Sequence, residues 1–231
     1  MAAPRGMRIA VVVPTLDEAG SILATLHAAR AGGVELIVAD GGSADATRER
    51  AASAGAAVVQ ASGGRAAQQN AGAAASDAPL LLFLHADTRL PQGWPARVRA
   101  TLADPRVALG AFRLAIDGAT RAERLITAGA NLRSRSFGLP YGDQALFLRR
   151  ATFDALGGFA PLPIMEDWDL ARRARRLGRI ALAPEAVTTS ARRWRRLGPL
   201  RTTLVNQAML LGFRAGVDPA RLARFYRSLG R

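Results

Sequence analysis

Short apolar runs alternate with alanine-rich stretches along the first half of the chain. The apolar runs predict buried strands at residues 8–13, 34–39, 56–60 and 79–86. The stretches between them predict helices at residues 21–30, 45–54 and 65–75. Strand–helix–strand units of this length favour right-handed crossovers, so we expect an α/β fold with a mostly parallel central sheet and helices on both faces.

The second half of the chain is less regular. Its apolar runs predict strands at residues 108–116, 145–150 and 180–184. Helical spacing of apolar residues predicts helices at residues 121–135, 167–178, 200–214 and 219–229. The last two helices are expected to form a C-terminal helical extension of the α/β domain.

Polar and acidic loops follow three of the predicted parallel strands. They read "PTLDEAGS" after the first strand, "DGGSAD" after the second and "HADT" after the fourth. In a parallel sheet these loops meet at one edge, where such folds bind ligands. Helix capping by Asp or Ser explains any one of the loops. Three of them at one edge favour a binding site.

Composition narrows the class of protein. The 231 residues favour one large domain with or without an appendage, and 49% hydrophobic residues argue against wholesale disorder. The absence of cysteine excludes disulfides and cysteine-based zinc sites, and favours a reducing compartment. The apolar runs are too short for a signal peptide or a membrane span, so we expect a cytoplasmic protein. Attachment to the cytoplasmic face of a membrane stays open.

The chain is strongly basic, with a formal net charge of +14, and every basic residue is an arginine. Runs at 172–179 ("RRARRLGR") and 192–198 ("RRWRRLG") make the last third the basic end. Arginine suits phosphates, nucleic acid and anionic lipid headgroups, although a solvated helix face explains any single arginine equally well. Few aromatic residues (6%) and the lack of a known nucleic-acid-binding motif argue against nucleic acid as a partner.

Two nucleotide-binding motifs are missing. Neither G-x-G-x-x-G nor a Walker A loop follows the first predicted strand, which argues against a dehydrogenase or an ATPase.

An acidic cluster, "MEDWDL" (165–170), stands at the start of a predicted helix. Its acids either complement the positive helix N-terminus or belong to a catalytic site.

Taken in order, six stretches between residues 8 and 185 resemble family 2 glycosyltransferases, which have the Rossmann-like GT-A fold. They are "VVVPTLDEAGSI", "LIVADGGSADAT", "GGRAAQQNAGAAAS", "LLFLHADT", "YGDQALFLRRATFDALGGF" and "MEDWDLARR". The likeness is greatest to small soluble bacterial members with "FLHADT" and "RRW". Members of that group are described as acting on arsenosugars, lipids or carotenoids, so the acceptor stays open.

The resemblance implies a donor site for a nucleotide diphosphate sugar. The implied donor-binding residues are Pro14, Thr15, Glu18, Asp40, Arg65, Asn70, His85, Ala86 and Asp87. "HADT" stands at the family's DxD motif, where carboxylates hold Mg²⁺ or Mn²⁺ against the diphosphate. Asp87 is the expected metal ligand. His85 replaces the first aspartate and either ligates the metal or forms a hydrogen bond near the ribose.

The resemblance also implies catalytic and acceptor-side residues. In the "ED" motif, Asp167 is the expected general base and Glu166 its neighbour, whereas Asp169 fits the helix N-terminus better. Residues expected on the acceptor or diphosphate side are Asp143, Gln144, Arg193 and Trp194. Ser190 stands where processive members have glutamine in their QxxRW motif, so processive polymerisation is not supported.

These implications define the expected protein. Residues 1–7 form a flexible N-terminus, 8–190 a GT-A domain with a nucleotide-binding half (8–88) and an acceptor half (89–190), and 191–231 a basic extension. The expected activity is inverting transfer of a hexose from a UDP- or GDP-linked donor to a small-molecule or lipid acceptor, with Mn²⁺ or Mg²⁺. The alternatives are a non-catalytic protein that binds anionic membranes or nucleic acid, and a nucleotidyltransferase.

Overall fold

The computed structural model describes residues 7–229, except for the side chains of Ser136, Phe137 and Arg193. The strands within this range are β1 Ile9–Thr15, β2 Val34–Asp40, β3 Ala57–Gln60, β4 Leu80–Phe83, β5 Thr88–Arg89, β6 Val107–Ile116, β7 Leu146–Arg149 and β8 Arg179–Thr189. The helices are α1 Ile22–Ala29, α2 Thr47–Ser53, α3 Arg65–Ala74, α4 Trp94–Leu102, α5 Arg121–Phe137, α6 Arg150–Ala155, α7 Glu166–Ala174, α8 Arg192–Leu197, α9 Pro199–Arg214 and α10 Pro219–Ser228.

The strands form one sheet in the order β3-β2-β1-β4-β7-β6-β8-β5. Strands β3, β2, β1 and β4 are parallel, as are β6 and β8, whereas β7 runs antiparallel to β4 and β6, and β5 to β8. The strand order reverses between β1 and β4, and the crevice beyond such a reversal is where open α/β sheets bind ligands. The expected mostly parallel α/β fold is therefore confirmed.

Alternating residues of β1 reach opposite faces of the sheet. Ile9, Val11 and Val13 join one hydrophobic cluster with residues of α1, α2 and α4. Ala10 and Val12 join a second cluster with residues of α3, α6 and α7. This period-two division buries both faces of the strand, as a parallel sheet covered by helices requires.

Several elements differ from the sequence-based expectations. Helices α4, α6 and α8 and the short strand β5 were not predicted, and β8 extends beyond the predicted end at Pro184 to Thr189. Proline usually ends a paired strand because it has no N–H to donate. Here Pro184 lies where the β6–β8 register shifts, between the pairs Ala111–Leu182 and Arg113–Ala186. The irregularity lets the strand continue past the proline.

The C-terminal helices pack against the loop that precedes α7. Met209 of α9 and Leu222 and Ala223 of α10 form a small apolar cluster with Ile164. Residues 1–6 of the expected flexible N-terminus lie outside the described residues, but Met7 is described and packs against the core. Among residues 7–229, no helix is both long and apolar enough to cross a bilayer.

Candidate active site

A cleft of about 440 Å³ opens beyond the C-terminal ends of β1 and β4. It brings together residues from loops that are far apart in the sequence. The expected site residues that line it are Pro14, Thr15, Glu18, Arg65, His85, Ala86, Asp87, Asp143, Asp167 and Trp194. The crevice at the strand reversal is therefore the candidate site, as the polar loops after the strands predicted.

The carboxylate of Asp167 is held by two backbone N–H groups. Its Oδ2 accepts a hydrogen bond from Gly142 at 2.5 Å, and its Oδ1 accepts one from Trp168 at 2.7 Å. A Cβ atom on Gly142 would lie 2.9 Å from Asp167 Oδ2 and 2.9 Å from His85 Nε2. Only glycine lets this loop approach both side chains so closely.

Met165, directly before α7, has a φ of 66°, in the left-handed region that residues other than glycine rarely adopt. The conformation starts α7 at Glu166, so the acidic side chains fall in its first turn. Unusual backbone conformations of this kind occur at functional sites more often than elsewhere.

Glu166 lies behind the cleft and does not line it. Its side chain is 2% exposed, and Oε1 lies 2.6 Å from Nε of Arg65. Burial raises the pKa of Glu166, and the Arg65 guanidinium opposes that rise. Glu166 therefore contacts Arg65 from behind the cleft, and its own carboxylate does not face the cleft.

Arg65 also contacts His85, with Nη1 3.3 Å from Nε2. A guanidinium can only donate hydrogen bonds, so this contact requires Nε2 of His85 to be unprotonated. Burial, and then the positive charge of Arg65, lower the pKa of His85 to about 4. The imidazole is therefore neutral at neutral pH, and its Nε2 already has a partner.

Two carboxylates share one guanidinium at the other side of the cleft. Nη2 of Arg192 lies 2.8 Å from Oε2 of Glu18 and 3.4 Å from Oδ2 of Asp87. Burial and the neighbouring Glu18 raise the pKa of Asp87. Two carboxylates that share one exposed guanidinium form a place where a divalent ion or a second guanidinium is favourable.

The donor set tests the fit of Mg²⁺ or Mn²⁺. Among residues 7–229, no group of three or more His, Cys, Asp or Glu side chains could enclose a metal ion. Mg²⁺ commonly keeps water and binds one or two carboxylates together with substrate phosphates. Asp87 and Glu18 fit that mode of binding, in which the bound molecule supplies further ligands.

Three expected donor- or acceptor-contacting residues do not line the cleft, because their polar groups are used within the protein. Asp40 is fully buried and accepts hydrogen bonds from the backbone N–H groups of Gly42 and Ser43. It also accepts hydrogen bonds from the hydroxyls of Ser43 and Thr15. Burial alone would raise the pKa of Asp40, but these bonds outweigh burial and lower it. Asp40 therefore joins the loops after β1 and β2.

Asn70 and Gln144 are likewise occupied. The amide of Asn70 donates to the carbonyl of Phe159 and accepts from its N–H, both at 2.9 Å. Gln144 is fully buried; its Oε1 accepts from the Ser134 hydroxyl at 2.7 Å, and its Nε2 donates to the Phe112 carbonyl at 3.0 Å. Both side chains brace the loops around the cleft, and the expectation that they face a ligand does not fit these contacts.

Asp169 has the structural place expected for it. Its carboxylate pairs with Arg173 at 2.7 Å and with Arg172 at 3.2 Å. Arg173 also donates to the carbonyls of Leu156 and Gly158 at 2.6 and 2.8 Å. These contacts tie α7 to the end of α6.

The side chain of Arg193, which is expected on the acceptor or diphosphate side, lies outside the described residues.

Several cleft residues were not predicted. Gln68 of α3 donates to the carbonyls of Thr15 and Ala39 at 2.6 and 3.1 Å and lines the cleft. The C-terminal helices add further lining residues: Thr202, Asn206, Met209 and Tyr226. On α9 the positions 202, 206 and 209 lie on one helix face, and this spacing is visible in the sequence. Which part of the protein that helix face lies against is set by tertiary packing.

A sequence profile identifies the family, and the comparison with solved structures shows the fold. The profile of glycosyl transferase family 2 matches residues 10–163. No curated protein matches the chain significantly. A mannosyltransferase from Pyrobaculum calidifontis, solved with GDP-Man and Mn²⁺, matches with a TM-score of 0.64 at 20% identity, over 96% of this chain and 70% of that one.

Other solved structures share the fold. Residues 1–349 of TarS from Staphylococcus aureus, solved with UDP-GlcNAc, match with a TM-score of 0.62 at 18% identity, over 80% of this chain and 58% of that one. A mycobacterial protein matches with a TM-score of 0.58 at 27% identity, over 82% of this chain and 67% of that one. The chain spans between 37% and 61% of the length of the TarS chains it matches.

Proposed function

The chain belongs to glycosyl transferase family 2, and from that premise we propose that it transfers a sugar, with inversion, from a UDP- or GDP-linked donor to an acceptor hydroxyl. The observation that carries the proposal is the meeting of Asp167 with Asp87, Glu18 and Arg65 in one cleft at the strand reversal. The similar fold of proteins solved with UDP-GlcNAc or with GDP-Man and Mn²⁺ supports a nucleotide sugar, and a hexose, as the donor.

The donor is proposed to lie across the ends of β1 and β4. Thr15, Leu16 and Gln68 line the side proposed for the nucleoside. The diphosphate is proposed to lie near Asp87 and Arg192, where the guanidinium exchanges its carboxylate partners for phosphate oxygens. Arginine suits this exchange because its donors match phosphate geometry.

A divalent ion held by Asp87 and Glu18 together with the diphosphate would neutralise charge on the leaving group. Mn²⁺ or Mg²⁺ suits these oxygen ligands. The chain's own residues would supply the remaining electrostatic stabilisation. Arg65 lines the cleft, and Arg192 contacts Glu18 and Asp87 of its lining, so both positive charges are near enough to stabilise a diphosphate as its charge develops.

Asp167 is proposed to act as the general base. An acceptor oxygen forms a bond to the anomeric carbon while the bond from that carbon to the diphosphate oxygen breaks. The diphosphate leaves with the bonding electron pair, and the acceptor proton passes to the Asp167 carboxylate. Gly142 and Trp168 each occupy one lone pair of the carboxylate, which leaves further lone pairs to receive the proton.

Thermal unfolding with a panel of nucleotide sugars tests the donor class. A ligand that binds the folded state raises the melting temperature in proportion to the logarithm of its concentration over Kd. UDP- and GDP-linked sugars should be compared with and without Mn²⁺, in the wild type and in Asp87→Asn. We expect the sugars linked to one of the two nucleotides, UDP or GDP, to raise the melting temperature. The Mn²⁺-dependent part of that rise should be smaller in Asp87→Asn. No shift with any nucleotide would contradict the proposal.

A further inference from the structure

A second cleft, of about 890 Å³, has Tyr141 in common with the candidate active site. Four arginines line it: Arg133 of α5, Arg172 of α7, Arg175 directly after α7, and Arg214 of α9. Among the described residues, none of those that line this cleft is acidic, and Arg172 has an acidic partner, Asp169, at 3.2 Å. Four guanidinium groups around one cleft favour an anionic molecule within it.

Apart from the arginines and Gln207, the walls of the second cleft are aromatic and apolar. Trp168 and Phe213 meet edge to face, with their ring centroids 5.5 Å apart. The guanidinium of Arg133 lies 3.8 Å from the centre of the Tyr141 ring. Leu139 and Leu210 complete the apolar lining. A fully hydrated inorganic ion would leave this apolar surface without a partner, so the cleft suits an anion that is attached to apolar carbon.

Two buried donors in the wall of the cleft have no acceptor. The hydroxyl of Tyr141 and Nε of Arg133 are buried without a hydrogen-bond partner in the part of the chain that the structure describes. Buried polar groups are nearly always paired, and each exception calls for an explanation. Both atoms have almost no accessible surface, so a bound molecule would reach them only after the Tyr141 and Arg133 side chains moved.

The second cleft adjoins the proposed base. Tyr141 lines both clefts, and the next residue, Gly142, donates to Asp167. Helix α7 places Asp167 in the first cleft and Trp168 and Arg172 in the second. Tyr141 and helix α7 therefore connect the arginine-lined cleft to the carboxylate that is proposed to take the acceptor proton.

The helices that line the second cleft also expose large apolar side chains. Leu132 of α5, beside Arg133 in sequence, is 64% exposed, and Leu211 of α9, beside Leu210, is 62% exposed. Exposed leucines near arginines, as Leu132 is beside Arg133, are typical of surfaces that meet amphiphilic molecules. They give an apolar chain that leaves the cleft a surface to lie on.

We propose that the second cleft binds the acceptor, an amphiphile that carries a phosphate or carboxylate group next to an apolar chain. The arginines hold the acidic group, the aromatic wall holds the chain, and the reacting hydroxyl reaches Asp167 past Tyr141. The assignment as acceptor rests on the proposed function, but the binding of an anionic amphiphile does not.

Calorimetric titration of the full chain tests the binding. The probes are decyl phosphate below its micelle concentration, inorganic phosphate, and decyl maltoside as an uncharged amphiphile. We expect decyl phosphate to bind at least about tenfold more tightly than either control, because it alone uses both the guanidinium groups and the apolar wall. Arg214→Gln should weaken the binding of decyl phosphate about tenfold.

Arg201→Gln is the matched control. Arg201 is also exposed on α9, but it lines neither cleft, so its loss should leave the affinity for decyl phosphate unchanged. Equal weakening by both substitutions, or none by Arg214→Gln, would overturn the proposal. Inorganic phosphate that binds as tightly as decyl phosphate would also overturn it, because the cleft would then be a bare anion site.

Vesicles separate a cleft from a docking surface. The protein could bind phosphatidylcholine vesicles that contain phosphatidic acid but not monomeric decyl phosphate. In that case the arginines form a membrane-binding surface, and the assignment of the second cleft to the acceptor is wrong. Nucleotide-sugar binding measured on the same samples separates the two proposals. Protein that binds decyl phosphate but no nucleotide sugar retains the amphiphile cleft and contradicts the proposed glycosyl transfer.

Discussion

The backbone N–H of Gly142 donates a hydrogen bond of 2.5 Å to Oδ2 of Asp167. The two residues lie on separate elements, a short turn before β7 and the first turn of α7. The side chain proposed as the base is therefore positioned by a loop that carries no catalytic group itself. The absence of a side chain at residue 142 is what makes the contact possible.

Gly142→Ala should reduce kcat much more than it reduces donor affinity. The added Cβ would lie 2.9 Å from both Asp167 Oδ2 and His85 Nε2, so the carboxylate must move. Displacement of a reacting group by about 1 Å costs on the order of 100-fold in rate. Steady-state kinetics with a nucleotide-sugar binding assay would measure the two effects separately.

Gly129→Ala is the control for that substitution. Gly129 lies within α5, and a Cβ there would have no atom within 4 Å. Alanine in a helix interior should raise the free energy of unfolding by about 0.5–1 kcal/mol and leave kcat unchanged. Wild-type kcat in Gly142→Ala would show that the position of Asp167 does not limit the reaction.

Arg65→Met should destabilise the fold, and more so at high pH. The substitution leaves the buried Glu166 carboxylate without its cation. We expect a loss of about 2 kcal/mol near neutral pH, below the ~3–5 kcal/mol of a fully buried pair, because the Arg65 side chain is 44% exposed.

The pH dependence follows from the pKa of Glu166. Burial raises this pKa above its ordinary value, and Arg65 opposes the rise, so Arg65→Met should raise it further. A carboxyl group with a raised folded-state pKa binds its proton more tightly when folded, so stability is lost as pH rises from the unfolded toward the folded pKa. Urea unfolding at about pH 5 and about pH 8 should show a larger defect at the higher pH.

Arg89→Met provides the comparison for the ion pair. Arg89 pairs with Asp117 at 2.8 Å, but both side chains are well exposed. Removal of such a surface pair should change the free energy of unfolding by less than about 1 kcal/mol. A defect in Arg65→Met that is equally small and independent of pH would mean that Glu166 does not depend on Arg65 for its charge.

Arg192→Gln should shift the balance between metal and donor. Its guanidinium lies between Glu18 and Asp87, so its loss removes a positive charge that competes with a divalent ion. Free Mn²⁺ should bind more tightly to the variant, whereas the nucleotide diphosphate should bind more weakly, each by about threefold to tenfold. Calorimetry with Mn²⁺ alone and with nucleotide measures both, and unchanged affinities would exclude this role for Arg192.

Gly110→Ala should weaken the fold without any direct effect on the cleft. A Cβ at residue 110 would fall 2.1 Å from Cε2 of Phe147, whose ring is fully buried on the neighbouring strand. Overpacking of this kind costs about 1–3 kcal/mol. A thermal midpoint equal to that of the wild type would show that the β6–β7 pairing has room for the methyl group.

Most strands and helices can be predicted because the spacing of apolar residues reflects which faces are buried. In β1, the residues on both faces of the strand are apolar because helices cover both faces of the sheet. The antiparallel direction of β7 was not predictable, since pairing depends on partners that are distant in sequence. Helix α4 was missed although Trp94, Val98 and Leu102 repeat every four residues. Its Gly-Trp-Pro start does not resemble the alanine-rich helices of the first half.

The sequence indicates which loops form the site, but not which of their polar groups face the cleft and which form hydrogen bonds within the protein. Asp87 lines the cleft, whereas Asp40 at a corresponding strand end has its oxygens occupied by hydrogen bonds from within the protein. The difference lies in which N–H groups the folded loops present, and it cannot be read from residue type. Met209 and Tyr226 reach the cleft only because α9 and α10 pack against Ile164.

The kinetics of Asp167→Asn test the central claim most directly. Asparagine keeps the size of the side chain and cannot take the acceptor proton, so kcat should fall at least about 100-fold while donor affinity is unchanged. Asp154→Asn, at an exposed position on α6, should have no effect on either quantity. Turnover near the wild-type rate in Asp167→Asn, with normal donor binding, would contradict the assignment of Asp167 as the base.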